Sequence, residues 1–456
     1  MIKKNIDIFD SRKVFSYLII LLPIFVISGP FLSDLSISIL AISSFFCLRE
    51  KKFFNNYFFF FFIIFWILIL FSSILSDNKI LAFKSSLFYF RFCFFSLFVW
   101  WILEKDKKLL EKVYSVLLFC FFALIFDSLF QYFNGSNIFN METVVKDRIS
   151  SFFGDELIMG SYLMRFFPFL LALTFYFYKK KKHEKFLFPS IIFILMIQIT
   201  IFLSGERTSF ILFNFSILLF LIFLNDFLKI RIFIFFVYIF SISILLTVDS
   251  PFKKRIFDKT IKQTQINEPG SQIYIFSKQY HEHYLSAWEI FKDHKLLGIG
   301  PKNFRETCRQ NKYNFSELTC STHPHNTPLQ LLAETGIFSF IVYLTINLVI
   351  WYNLIKSLYA KIFYKKKFLN NFQISLLINI VILLWPISPN GNFFNNWLSI
   401  TIYYPIGFLL WDLRNSKKMF INYQKKRVFI LNLILQINFK MYKYLPGNFC
   451  EGVTPD

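Results

Sequence analysis

The sequence predicts an all-α polytopic membrane protein of about 12 transmembrane helices with one large, partly helical outer loop. Three observations predict it. Apolar runs of about 20 residues, the length that crosses a bilayer, recur along the chain. Hydrophobic residues make up 55% of the 456 and mean hydropathy is +0.51, with 68 phenylalanines, a composition a soluble chain of this length has no need of. Lysines and arginines gather in short segments between those runs, at 49–52, 105–112, 179–182, 361–367 and 414–418.

In order, the expected spans are 13–29, 31–48, 53–75, 80–103, 110–133, 157–178, 186–204, 207–225, 229–248, 327–355, 369–388 and 394–412. With the N-terminus cytoplasmic, every basic short loop falls on the cytoplasmic side, as the positive-inside rule requires. The outer side then receives 28–30, 72–78, 134–156, 204–205, the long loop 249–326, and 388–396. The chain thus divides into 1–248 (nine spans), 249–326 (outer loop), 327–412 (three spans) and 413–456, a cytoplasmic tail. No clear cleavage site follows the first apolar run, so it is expected to be a retained span. The apolar stretch 428–437 is too short to cross and is expected to lie at the interface. The net charge of +22 sits in loops without an aromatic-interleaved basic domain, so the expected contacts are membrane lipids and not nucleic acid.

Within the long loop, Tyr280, Tyr284, Trp288 and Phe291 recur at spacings of four, four and three, which predicts a helix with one apolar face. The run Leu296-Leu297-Gly298-Ile299-Gly300-Pro301 breaks it. Cys308 and Cys320 lie in the same loop, where an oxidising compartment favours a disulfide between them.

Five of the six histidines (His281, His283, His294, His323 and His325) fall in this loop; His183 does not. Histidine is the side chain that exchanges a proton near neutral pH, so this face is the candidate site. His325 stands out. Thr327 can cap the following helix, Pro328 suits its first position and Gln330 completes a capping box. His325 is thereby expected just outside a helix N-terminus, where free N–H groups attract anions. His281 and His294 read as ordinary polar loop residues. Neither His-x-His pair has further ligands at suggestive spacing, and no catalytic metal is expected.

Arg207, in Ser204-Gly205-Glu206-Arg207-Thr208-Ser209, opens a helix at apolar depth, against both the dipole and the cost of a buried cation. It needs a partner, either an acid such as Glu206 or an anionic ligand, and planar bidentate donors suit a diphosphate. Arg148, in the second-largest outer loop, and Lys253, Lys254 and Arg255, at the outer mouth of the ninth span, are further phosphate or headgroup contacts. Arg91, deep in the fourth span, should face the bundle interior.

These residues resemble the bacterial O-antigen ligase and O-antigen polymerase superfamily. The resemblance rests on Gly298-Ile299-Gly300-Pro301-Lys302-Asn303-Phe304, then His325, Asn326, Gln330, Glu334 and Gly336, and covers roughly 150–412. Ser339 departs from the family's motif, and no arginine stands shortly before Trp288, where many ligases carry one. His283 or Arg255 is the candidate replacement. The resemblance implies a membrane glycosyltransferase of the bacterial inner membrane that needs no metal or other cofactor. It would move a glycan from undecaprenyl diphosphate to a sugar of lipid A-core on the periplasmic face. His325 would serve the acceptor hydroxyl, Arg207 with Arg148, Arg255 or His283 would hold the diphosphate, and His323, Asn326, Gln330 and Glu334 would support them. A repeat-unit polymerase would differ in its acceptor, and a protein O-oligosaccharyltransferase is a third member of the set. A transporter or flippase for an anionic lipid would instead be expected to carry paired half-repeats and ionisable residues near the midplane.

Overall fold

The computed structural model describes residues 2–181, 187–226, 228–266 and 272–415. Residues 1–410 form one compact unit, and beyond it only the end of the last helix is described. The apolar stretch 428–437 and His183 lie outside the described residues.

Every expected span coincides with helix: α1 (Ile2–Ser28), α2 (Pro30–Cys47), α3 (Tyr57–Leu75), α4 and α5 (Lys79–Ser86 and Phe90–Lys105, joined by one 3₁₀ turn), α6 (Lys108–Asn134), α7 (Met159–Lys181), α8 (Leu187–Leu203), α9 (Arg207–Phe223) and α10 (Leu228–Thr247). After the loop, whose main helix is α11 (Lys278–Asp293), come α12 (Thr327–Tyr364), α13 (Asn371–Leu383) and α14 (Asn396–Asn415). The described residues contain no strand, only two isolated bridges. Among the described residues, seven helices are long and apolar enough to cross a membrane, among them 79–105 taken as one, and shorter apolar helices cover 190–203, 207–223 and 371–383.

The helices leave many large apolar side chains exposed and bury polar ones where they find partners, which suits a hydrocarbon solvent. On α10, Leu228, Phe233, Phe236 and Phe240 are exposed, whereas Tyr238 is buried and donates to Asn214 Oδ1 at 2.8 Å. Pro23 inside α1 has no N–H, so the carbonyl of Ile19 lacks its helical donor. The Tyr404 hydroxyl supplies one at 2.8 Å, tying α14 to α1. Tyr162, Phe166, Phe169 and Phe408 fill the centre around them.

Two expected spans are not continuous, and both breaks lie at one end of the bundle. In α12 the helix is interrupted at Gly336 (φ 73°, ψ −177°), so the run 327–355 is a short helix 327–335 followed by 337–364. The freed backbone groups find partners in the loop: Ile299 N donates to Ala333 O at 3.0 Å, Gly300 N to Glu334 O at 2.8 Å, and Ile337 N to Lys295 O at 2.8 Å. Gly298, also at positive φ, sits against the Glu334 carbonyl, and a Cβ at Gly336 would strike Leu296 O. These three contacts explain the Gly298–Gly300 and Gly336 signals together: a loop strap and a broken helix fit backbone to backbone. In α13, Pro386 and Pro389 forbid continuation to 388; the helix stops at Leu383, and Tyr343 Oη donates to Leu384 O at 2.6 Å.

The long loop is folded. Ala287, Ile290, Ile299, Phe304, Cys308 and Tyr313 form a small core with Ala333 of α12. The face of α11 that packs carries Glu282, His283, Ser286, Ala287 and Ile290. The expected apolar face was the wrong one: Trp288 is exposed and Tyr280, Tyr284 and Phe291 only half-buried. Glu282 can face inward because the Ser316 and Thr319 hydroxyls satisfy one of its carboxylate oxygens.

Candidate active site

The site is assembled where the α12 break, the α13–α14 connection and the loop meet. His325 precedes α12 in a left-handed conformation (φ 58°), which a non-glycine residue adopts at a cost of about 1–2 kcal/mol. Its carbonyl accepts from Asn390 N at 2.8 Å. Its ring lies 4.0 Å from that of His323, 5.4 Å from that of His283 and 5.4 Å from that of Tyr280, centre to centre.

The three imidazoles differ in environment. His323 Nε2 lies 3.1 Å from Asn390 O, and a carbonyl can only accept, so the proton is on Nε2 and Nδ1 accepts from the Thr322 hydroxyl at 2.9 Å. His283 is fully buried, with the backbone of Leu318 beside its ring. Burial, then the neighbouring His325, pushes His323 down to about 3 and His283 down to about 4. Burial lowers His325 as well. At neutral pH all three are uncharged, and His325, the least buried, retains a proton-accepting nitrogen.

The cap of α12 differs from the expected one. Asn326, not Thr327, is the N-cap: its Oδ1 accepts from Leu329 N at 3.1 Å and its Nδ2 donates to Pro386 O at 2.9 Å. Gln330 makes no capping box. It is fully buried, accepts from Phe393 N at 2.9 Å and donates to Glu334 Oε2 at 2.9 Å. Glu334 in turn accepts from Phe304 N at 3.3 Å, so Gln330 and Glu334 bind the α13–α14 connection and the loop to the first turns of α12.

The arginines approach from α7, α9 and the segment after α10. Arg207 rests on Gln263 Oε1 and, at 3.4 Å, Thr260 Oγ1, both neutral, and lies near Tyr280. Glu206 is not its partner. That carboxylate accepts from Gly160 N at 2.6 Å and Ser161 N at 3.1 Å at the start of α7, and burial pushes it up to about 7. Arg148 donates to Leu157 O at 2.7 Å. Arg255 pairs with Asp147 at 3.2 Å and donates to Gly205 O at 3.0 Å. Gly205 (φ 64°) lets the two arginines converge, since a Cβ there would come within 2.8 Å of Arg255 Cδ and 3.0 Å of Arg148 Cγ. Lys254 pairs instead with Asp249 in an exposed position, and Arg91 is held by Asp34 at 2.7 Å between α2 and α5.

Two residues that sequence reasoning passed over join these parts. Arg165, buried in α7, donates from Nη2 to Asn390 Oδ1 at 2.7 Å and from Nε to Ser161 Oγ at 3.0 Å. Asn390 therefore holds an arginine with its side chain and the histidine segment with its backbone. Arg165 was detectable, because an ionisable residue inside an apolar span is by default a functional candidate. Nothing in the spacing linked Asn390 to His325.

His281 packs on Tyr274 and His294 ends α11 in an exposed position; neither reaches the cluster. Cys308 and Cys320 are disulfide-bonded with Cα atoms 5.5 Å apart. Among the described residues no group of three His, Cys, Asp or Glu is placed to hold a metal ion.

No curated protein matches the chain. A family model described as O-antigen ligase matches residues 191–344, from within α8 to within α12, including Arg207, Arg255, His283, His323 and His325 but not Arg148, Arg165 or Asn390. Over residues 191–344 the chain is similar to the O-antigen ligase family.

Proposed function

We propose that this protein transfers a glycan from undecaprenyl diphosphate to a sugar hydroxyl of lipid A-core at the periplasmic face of the inner membrane. On this reading the 12 helical runs all span, both termini are cytoplasmic, and 249–326 is the periplasmic segment. The observation that carries it is His325: an uncharged, half-buried imidazole joined through Asn390 to Arg165, with Tyr280 between its ring and the neighbourhood of Arg207.

Diphosphate is already a good leaving group, so the site has to orient the acceptor and neutralise charge on departure. A neutral imidazole takes the proton from the acceptor hydroxyl as its oxygen bonds to the anomeric carbon. The bond from that carbon to the diphosphate oxygen breaks, and the electron pair leaves with undecaprenyl diphosphate. Arg207 and Arg165 suit the leaving group because their hydrogen-bond partners are neutral and neither is in an ion pair. Arg148, held by a carbonyl, adds to the same field. Arg255 is already paired and shapes the Gly205 turn more than it binds. His283, enclosed and uncharged, serves as the wall on which His325 stacks and not as the missing phosphate ligand. His323, Asn326, Gln330 and Glu334 fix the segment that carries His325.

The test is deletion of the gene in its host, with complementation by wild type or His325→Ala and lipopolysaccharide run on a gel. Loss of long chains with accumulation of lipid-linked polymer, rescued only by wild type, is the expected result. Cores capped by one repeat unit would reassign the chain to repeat-unit polymerisation, and rescue by His325→Ala would remove this histidine from the mechanism.

A further inference from the structure

The arginines assigned to the donor each rest on a protein acceptor, but two other cations, on the folded loop, do not. Lys302 and Arg305 belong to the turn after the Gly298–Gly300 strap. Asn303 between them is buried and donates to Ser76 Oγ and, at 2.9 Å, to Ile299 O, while Phe304 N donates to Glu334. The turn is therefore rigidly fixed against α3 and α12. Lys302 itself is left-handed (φ 64°) and partly buried, which lowers its pKa.

Arg305 is carried to the histidines by covalent structure. It lies three residues before Cys308, whose disulfide to Cys320 joins this turn to the segment ending in His323 and His325. Arg305 is close enough for its charge to bear on His323, and Lys302 close enough to bear on Arg305.

No ion pair among the described residues engages Lys302 or Arg305. Arg305 Nε is buried without a hydrogen-bond partner. The one carboxylate within electrostatic reach of Lys302 is Glu334, whose two oxygens are taken by Gln330 and Phe304 N. Two partly desolvated like charges that share one distant carboxylate, itself engaged by other donors, are costly unless a ligand adds negative charge.

We propose that Lys302 and Arg305 form a second anion subsite that binds a phosphate or carboxylate on the acceptor glycan, placing its hydroxyl at His325. The two groups of cations come from different elements. Arg207 and Arg165 stand on α9 and α7, while Lys302 and Arg305 stand on the loop turn beside α3; Tyr280, against His325, lies near Arg207, and the charge of Arg305 reaches His323. Two separate cationic sites suit a reaction between two anionic substrates. The proposal rests on the glycan-transfer reading above and adds to it the charge class of the acceptor.

The test uses the full-length protein in nanodiscs, with an undecaprenyl-diphosphate glycan as donor and lipid A-core as acceptor. The acceptor is supplied native, phosphatase-treated or carboxyl-reduced. The double variant K302Q/R305Q is expected to raise acceptor KM at least about tenfold, equivalent to about 1.4 kcal/mol, with donor KM unchanged. Whichever acceptor lacks the recognised group should lose the same factor with wild type and little more with the variant. K302R/R305K, which keeps both charges, should recover most of the affinity. If wild type transfers nothing, the glycan-transfer reading falls and takes the subsite with it. If wild type transfers and K302Q/R305Q matches it, or the variant weakens donor instead of acceptor, or it weakens all three acceptors alike, the transfer reading stands and the subsite falls.

Discussion

Arg165 donates to Asn390 Oδ1 at 2.7 Å, and this contact joins a cation buried inside the bundle to the backbone that holds His325. A small change at Asn390 should therefore register in chemistry more than in folding.

Asn390→Ala removes one of the arginine's two side-chain acceptors and a 3.4 Å bond to Thr327, but keeps both backbone bonds to the histidine segment. It should lower kcat by roughly 10–100-fold, because misplacement of reacting groups by about 1 Å has effects of that size. Acceptor KM should change little, and the acidic limb of the pH profile should move. A purely structural role would lower the melting temperature and leave the pH profile of the surviving enzyme unchanged.

The histidine cluster also sets a pH limit on stability. His323 and His283 titrate near 3 and 4 when folded and near 6.5 when unfolded, so between those values the unfolded chain binds more protons. Their contribution is present in full above about pH 6.5 and is lost as pH falls towards 4. His323→Asn/His283→Asn should flatten the fall in melting temperature between pH 6.5 and 4. A fall as steep as in wild type would show that the cluster is not the group responsible.

Gly336→Ala places a Cβ against Leu296 O at a backbone conformation disfavoured for any side chain. The strained φ and the clash together should cost roughly 2–4 kcal/mol and loosen the strap that fixes the loop. Thermal unfolding and limited proteolysis of 295–300 would read this directly, and an unshifted melting temperature with an uncut loop would contradict it.

Arg207 and Arg255 should behave differently although each is within electrostatic reach of the other. Arg207 has only neutral partners, so Arg207→Ala should abolish measurable transfer. Arg255 is paired with Asp147, so Arg255→Ala should be milder, and Asp147→Asn should not mimic it by freeing an extra cation for the donor. Equal losses for the two arginines in a transfer assay would refute the distinction.

The sequence carried the helices well because lipid imposes one rule on every span. Each run had to be helical to satisfy its own backbone, and basic loops marked the turns. It carried the irregular parts poorly. Pro386 and Pro389 were visible but lay at the edge of an apolar run, and Gly336 could have been an ordinary helical glycine until the strap at 295–300 was seen to need it. The α11 helix forms where the aromatic spacing predicts it, but its packed face is a different one, because Glu282 and His283 face inward with partners, or ring neighbours, distant in sequence. His325 was legible from its polar loop beside a cappable helix. The contact that positions it comes from Asn390, 65 residues further along, and no local pattern reports that.

The most direct measurement is the single-turnover transfer rate of purified protein in nanodiscs, wild type against His325→Ala, with donor binding measured in parallel. A rate reduced by roughly 10²–10⁴-fold, with donor affinity unchanged, is the predicted result for loss of a general base. A His325→Ala protein that transfers at the wild-type rate, or that fails only because donor no longer binds, would contradict the assignment of His325 as the group that activates the acceptor.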